Sequence, residues 1–330
     1  LLNPIISYNF SKSNVGSVKN DPMDAFALAD FAASGKVKTL SPFKANQHFA
    51  IQSLARQRNH YIDLMCKEKT RILNYIFIKF SDYNNAKHKN KAFSNIFGNT
   101  SIEVLLNYKT PEEIANASIE ELTDFIKEKS KNRFDDCEEV AKILQKASRA
   151  SYRLDASLYD SVNTNIAICF STIKFYENII QTIENEIELL IKGSSFEKDI
   201  LILKSIPGIS DIFAISIISE LGDASSFKSD DALAKYSGIY WNENSSGNFI
   251  SEDNRLKKTG NTYLRYYLIE ATSSVIRHNK VFNDFYNKKL NEVKTHKESR
   301  ALVLTSRKFI RLIYKLLKDK KLYEFPSNIN

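Results

Sequence analysis

Residues 166–190 read IAICFSTIKFYENIIQTIENEIELL, and with Ile166 at a heptad a position the a/d series is Ile166, Cys169, Ile173, Tyr176, Ile180, Ile183, Ile187 and Leu190, all apolar. Apolar residues spaced alternately three and four apart line one side of a helix, and a stripe this long is a coiled-coil seam. The seam, inside a helical stretch over 152–192, needs a partner. An upstream helix of the same chain would make a hairpin; a second copy would make a homo-oligomer. The spacing leaves both open, although Tyr and Cys at d positions suit an antiparallel pairing better than a simple parallel dimer.

Upstream of the seam, Pro42 opens a helical pattern through Leu54, Ile62, Met65, Ile72 and Ile76 to about Tyr83, closed by a polar stretch from Asn84 to Lys91. Residues 94–150 read as several short helices, with Thr110-Pro111-Glu112-Glu113 and Ser118-Ile119-Glu120-Glu121 as capped starts. Near the N-terminus, Asp21-Pro22-Met23-Asp24 begins a helix that continues through Ala25 to Ala33, with Gly35 as its stop. Asp21 suits the N-cap, Pro22 the first helical position and Asp24 the capping acid. The same spacing sets two carboxylates on one side of the first turn, where they can hold a divalent metal; cap and metal ligand both remain open, the cap being the simpler.

The whole chain fits a mainly α fold. Its 330 residues, 43% hydrophobic and 26% charged, are globular in composition, and nine Gly and six Pro exclude collagen-like or Gly/Pro-rich low-complexity character. No apolar run reaches a membrane span and no basic-then-apolar leader opens the chain, so a cytoplasmic protein with no membrane partner is expected. Cys66, Cys137 and Cys169 lie far apart without metal-ligand spacing, suggesting neither a disulfide framework nor a zinc site. The net charge is +8, but from Arg255 to Asn330 there are 18 Lys/Arg against 6 Asp/Glu, a local +12 that leaves −4 for the residues before it. Such asymmetry points to a polyanion, because each cation placed on a phosphate releases counterions; a solvated Lys-rich surface is the plainer alternative.

The C-terminal part carries the candidate chemistry. Ser205-Ile206-Pro207-Gly208-Ile209-Ser210, followed by an apolar helix to Leu221, resembles half of a helix-hairpin-helix, in which backbone N–H groups grip phosphate; Gly208 and Ser210 are the candidate contacts, and an ordinary helical turn is the alternative. A polar loop from Tyr236 to Asn248 carries the single Trp and Ser246-Gly247, a possible nucleophile in what is also a common loop dipeptide. No Ser-His-Asp grammar supports a hydrolase triad. Arg255, Lys257, Lys258 and Arg265 then cluster around a helix start that Asn261 or Thr262 can cap, running to about His278. Cations there oppose the helix dipole and make sense if phosphate is the occupant. A last helix, Glu298 to Lys318, places Arg300, Arg307, Lys308, Arg311 and Lys315 beside an apolar stripe, as a basic face or an amphipathic packing helix.

Asn20-Asp21-Pro22-Met23-Asp24-Ala25, Leu54-Ala55-Arg56-Gln57-Arg58, Thr110-Pro111-Glu112-Glu113, Ser205-Ile206-Pro207-Gly208-Ile209, Tyr236-Ser237-Gly238-Ile239, Ser246-Gly247, Lys258-Thr259-Gly260-Asn261 with Leu264-Arg265, and Arg307-Lys308-Phe309 follow one another in a family's order. The succession resembles bacterial insertion-sequence transposases that join a RuvC-like DEDD domain to a C-terminal serine-bearing transposase domain, the "IS one-ten" type. The resemblance implies three parts: residues 1–40 as the end of an RNase H/RuvC-like α/β domain, 41–195 as a helical coiled-coil region, and 196–330 as a helical transposase domain opening on the helix-hairpin-helix-like turn. It also implies DNA and a structured guide RNA as partners, with Mg²⁺ held by four acidic residues, the last two matching Asp21 and Asp24. Ser246, with Ser245 as the other register, would form a covalent phosphoserine. Arg255, Lys257, Lys258, Asn261, Arg265, Arg307 and Lys308 would hold nucleic acid. The first Asp and the Glu of the DEDD set would lie upstream of Leu1, so the resemblance implies an N-terminally truncated transposase holding Mg²⁺ weakly. The alternatives are a non-catalytic nucleic-acid-binding remnant and a coiled-coil interaction protein without nucleic acid.

Overall fold

The computed structural model describes residues 10, 21–35, 46–83, 91–241, 245–246, 249–250 and 256–325. The expected helix start at Pro42 and most of the polar stretch after Tyr83 lie outside these. The described residues are mainly helical, as expected, and form two compact units: residues 54–189, and residues 1–53 together with 190–330.

In the first unit, helix α2 (Asn46–Lys79, after α1 at Asp21–Ala33) contributes its residues from 54 onward. It is followed by α3 (Asn99–Asn107), α4 (Pro111–Asn116), α5 (Ile119–Ser130), α6 (Cys137–Ala150) and the long α7 (Ala156–Ile191). The heptad residues of α7 behave as their spacing demands: Ile166, Cys169, Ile173, Ile180, Ile183 and Ile187 are buried. Their partner is α2 of the same chain. Arg58 pairs with Glu184 at 2.7 Å, the Tyr61 and Tyr176 rings lie 6.0 Å apart, and Glu68 neighbours Cys169. Since the residue number rises on one helix as it falls on the other, the two run antiparallel. Burial, together with the neighbouring Glu68, pushes the Cys169 thiol up to about 11.

Helix α2 ends at Lys79, short of the expected Tyr83, because the chain turns there to bury Phe80 and Tyr83. Tyr83 donates its hydroxyl to the Ser101 carbonyl at 3.0 Å, and burial raises its pKa. The Lys79 side chain is 1% exposed and donates to the carbonyls of Leu105 and Tyr108, both at 2.7 Å. It thus satisfies the C-terminal end of α3, a place the helix dipole favours for a cation. The predicted caps form: Thr110 Oγ1 accepts from the Glu113 amide at 3.3 Å and Ser118 Oγ from the Glu121 amide at 3.1 Å. These short helices close over Ile72, Ile76, Leu105, Leu122, Ile126, Leu144 and Ile166, all buried.

The second unit holds α1, the first turns of α2, α8 (Glu197–Lys204), α9 (Asp211–Leu221), a 3₁₀ turn (Ala224–Ser226), α10 (Asp230–Ser237), α11 (Thr262–His278), α12 (Lys280–Leu290) and α13 (Lys297–Asp319). Helix α13 is the spine: Ala301, Phe309, Ile310, Ile313 and Leu317 are buried, and α8, α10, α11 and α12 pack along it. Helix α9, apolar on nearly every side, lies between α8 and α11. Between α10 and α11 the chain makes two nested antiparallel pairs. The outer joins β1 (Tyr240–Trp241) to β4 (Leu256–Lys257), and the inner joins β2 (Ser245–Ser246) to β3 (Phe249–Ile250).

Candidate functional site

The outer strand pair leaves the helical body from two interlocked turns. Helix α10 ends at Gly238, whose φ of +72° lets its N–H reach the Ala234 and Lys235 carbonyls, a C-terminal cap that a side chain would strain. On the other strand Gly260, at φ +132°, lies against the same turn: a Cβ there would come within 2.5 Å of the Tyr236 carbonyl oxygen. A Cβ on Gly238 would in turn meet Thr259 O at 2.7 Å and Arg265 Nη1 at 2.5 Å. The Asn261 amide donates to Tyr236 O at 2.7 Å, and the Tyr240 and Thr259 hydroxyls are 3.1 Å apart. Ser246 pairs with Phe249 through the backbone, so two residues, Gly247 and Asn248, connect the inner strands. That spacing with Gly-Asn is a β-hairpin signal which reading the stretch simply as a polar loop passed over.

Asn261, not Thr262, is the cap of α11: its Oδ1 accepts from the Leu264 amide at 3.0 Å. The first turn of α11 carries no acidic residue, and Lys257 and Lys258 are exposed just before it. Arg265 is half-buried and donates from Nη1 to the Lys258 carbonyl at 2.7 Å, so it braces the backbone that carries the lysines. Arg255 lies outside the described residues.

The helix-hairpin-helix-like turn has a different arrangement. Ser210 caps α9, accepting from the Phe213 amide at 3.3 Å, and the first turn carries the Asp211 carboxylate, which pairs with Lys204. Gly208 is pressed on the backbone of α11, where a Cβ would fall 2.9 Å from Ser274 O.

Arg307 and Lys308 are engaged inside the chain. The Arg307 side chain is 11% exposed and is held by Asp230, at 3.0 Å, and by Asp231, the two acids at the start of α10. Lys308 Nζ sits 5.0 Å and 4.7 Å from the Phe282 and Phe285 ring centres and donates to Val281 O at 3.2 Å, and burial lowers its pKa. Asp21 and Asp24 are exposed in the first turn of α1, which begins at Asp21 itself. Among the described residues no three His, Cys, Asp or Glu side chains stand close enough together to hold a metal.

One buried acid escaped the sequence analysis. Glu220, on α9, is 0% exposed, and its Oε2 accepts from Asn261 Nδ2 at 2.7 Å and Gln52 Nε2 at 3.0 Å. A lone acid in the otherwise uncharged, isoleucine-rich run Ala214 to Leu221 was the available signal.

No helix of the described residues is long and apolar enough to cross a membrane. No curated protein matches the chain. A family model described as Transposase IS116/IS110/IS902 family matches residues 201–287, which take in α9, both strand pairs and α11, and a second, the IS110 DEDD model described as Transposase, matches residues 1–78. With a match at each end of the chain to models of one kind of insertion-sequence enzyme, the findings support an IS110-family transposase.

Proposed function

We propose that the chain is a DNA strand-transferring recombinase in which the Ser246 hydroxyl attacks a phosphodiester. The new bond is Oγ–P, the P–O bond to the departing strand breaks, and the serine proton passes to a base in the assembled complex. The observation that carries this reading is local. A helix start free of acidic residues, with exposed Lys257 and Lys258 beside it, roots the strands that bear Ser246, all inside one family match. Backbone N–H groups and cations at such an end suit a phosphate. Lys257, Lys258 and, braced between them and the helix, Arg265 therefore hold the nucleic-acid backbone, with Arg255 completing the site, while Asn261, whose polar groups are engaged within the chain, orders the helix start rather than touching phosphate.

The remaining parts of the proposal rest on the family. Asp21 and Asp24 would hold Mg²⁺: two hard oxygen donors one turn apart suit this ion, which fills its shell from substrate phosphates and water. The two carboxylates are an incomplete donor set, since among the described residues no third His, Cys, Asp or Glu stands with them. Bound there, Mg²⁺ would supply positive charge to a phosphate. A structured guide RNA would choose the DNA, and two or more copies would act together.

The test is a covalent adduct. Protein, duplex DNA, RNA that copurifies with the protein, and Mg²⁺ are combined, and DNA-linked protein is sought on a denaturing gel. Ser246→Ala is expected to remove the adduct. Persistence in that variant would exclude Ser246, and loss in Ser245→Ala alone would move the nucleophile one residue. Asn at both Asp21 and Asp24 should abolish the adduct without lowering Tm; a lowered Tm with cleavage retained would leave them as helix caps.

A further inference from the structure

The Glu220 carboxylate has no assigned work, and it is placed where structure and chemistry meet. An ion is among the costliest groups to bury and persists in a core only where its oxygens are hydrogen-bonded. Oε2 receives Gln52 and Asn261; one turn of network further, the Tyr236 hydroxyl donates to the Glu220 carbonyl at 3.4 Å and lies 3.4 Å from Asn261 Nδ2. Asn261 is consequently held at each polar group: Oδ1 caps α11, Nδ2 meets Glu220, and its backbone N–H meets Tyr236 O. Tyr236 precedes β1 by four residues and Asn261 follows β4 by four. Of the two residues from which the outer strands leave, Asn261 is tied to the buried carboxylate directly and Tyr236 through Asn261, with the Glu220 main chain as a second hold on Tyr236, and Gln52 ties the carboxylate in turn to the first turns of α2.

We infer that Glu220 is a positioning residue: it fixes the root of the strands and, through them, where Ser246 stands relative to the lysines. The part concerning Ser246 rests on the proposed function; the part concerning the strand root does not. Trp241, the single Trp of the chain, lies in β1 opposite Leu256 and reports on that root.

The experiment compares wild type with Glu220→Ala, Glu220→Gln and the exchange Gln52→Glu with Glu220→Gln. The Ala variant is expected to keep its helical circular dichroism while Trp241 emission shifts to the red and its anisotropy falls. Adduct formation should drop on the order of 10–100-fold with DNA affinity changed less than about twofold, since a displaced reacting group loses rate before binding. Gln at 220 can accept from Asn261 but turns its own amide toward Gln52, so it should fall between. The exchanged pair restores one donor to each acceptor and should recover the wild-type Trp241 signal. Unchanged Trp241 emission in a folded Ala or Gln variant overturns the inference, as does adduct loss that merely follows the unfolded fraction. If Ala prevents folding, Gln and the exchange decide. Absence of an adduct in wild type would sink the serine reading alone, because the Trp241 comparison stands without it.

Discussion

Helices α9 and α11 both begin in a glycine-containing turn followed by a polar cap, Ser210 in one and Asn261 in the other, and both matched the pattern of a phosphate grip. Their first turns differ. The start of α9 holds the Asp211 carboxylate with Lys204 beside it, so its dipole is already answered from within the chain. The start of α11 holds no acid, and its cations are Lys257 and Lys258, exposed to solvent. A cap alone does not make a binding end; what decides is whether the chain has spent the positive potential on itself.

The difference is broken most directly by charge. Glu at both Lys257 and Lys258 should weaken nucleic-acid binding by at least about tenfold at moderate salt and flatten the log–log salt slope by roughly two, as expected when two phosphate contacts are removed. Lys204→Ala, measured by the same titration, should leave both nearly unchanged. Equal losses would mean that both ends bind, and the contrast would be void.

A helix end satisfied wholly from inside provides the reference. Lys79, on the carbonyls at the end of α3, has its pKa drawn down from 10.5 to about 8 by burial. The unfolded chain then binds the extra proton between those values, so stability is lowest below pH 8 and rises as pH climbs from 8 toward 10.5. Urea midpoints across that range should increase by the equivalent of about 3 kcal/mol, and Lys79→Met should remove the dependence. A flat wild-type profile would show the ammonium to be better compensated than its burial implies.

The caps themselves should also rank. Asn261→Ala is expected to lower stability by about 2 kcal/mol, since it strips a helix start and a donor from a buried carboxylate; Ser210→Ala should lose only about 1 kcal/mol. Thermal melts of the two variants in parallel check the order, and a reversal would remove Glu220 as the source of the difference. The smallest expected effect is Asp211→Asn, which should strengthen nucleic-acid binding by less than about twofold if α9 has its dipole answered as described.

The heptad stripe of α7 was legible because burial there repeats with the helix, and the caps at Thr110 and Ser118 because each involves one side chain and an amide three residues away. What pairs with the stripe was not legible: α2 lies about a hundred residues upstream, and spacing carries no information about which surface arrives. Arg307 and Lys308 show the same limit. In sequence they belong to a basic face, yet Asp230, Asp231, Phe282 and Phe285 reach them only through packing around α13. Along the strands, pairs of two residues are too short for alternation to register, and the Gly-Asn connection was the one local cue.

Gly238 and Gly260 lie in two turns pressed together so closely that neither has room for a Cβ. Drift at one cannot be offset at the other, because each meets main chain of the opposite turn, with the Arg265 side chain crowding Gly238 as well. A lineage can therefore change the lysines, recolour the surface and lengthen the connections while this clasp stays frozen. A scan of all substitutions would find it as two silent columns, even in a variant that had lost every activity except folding.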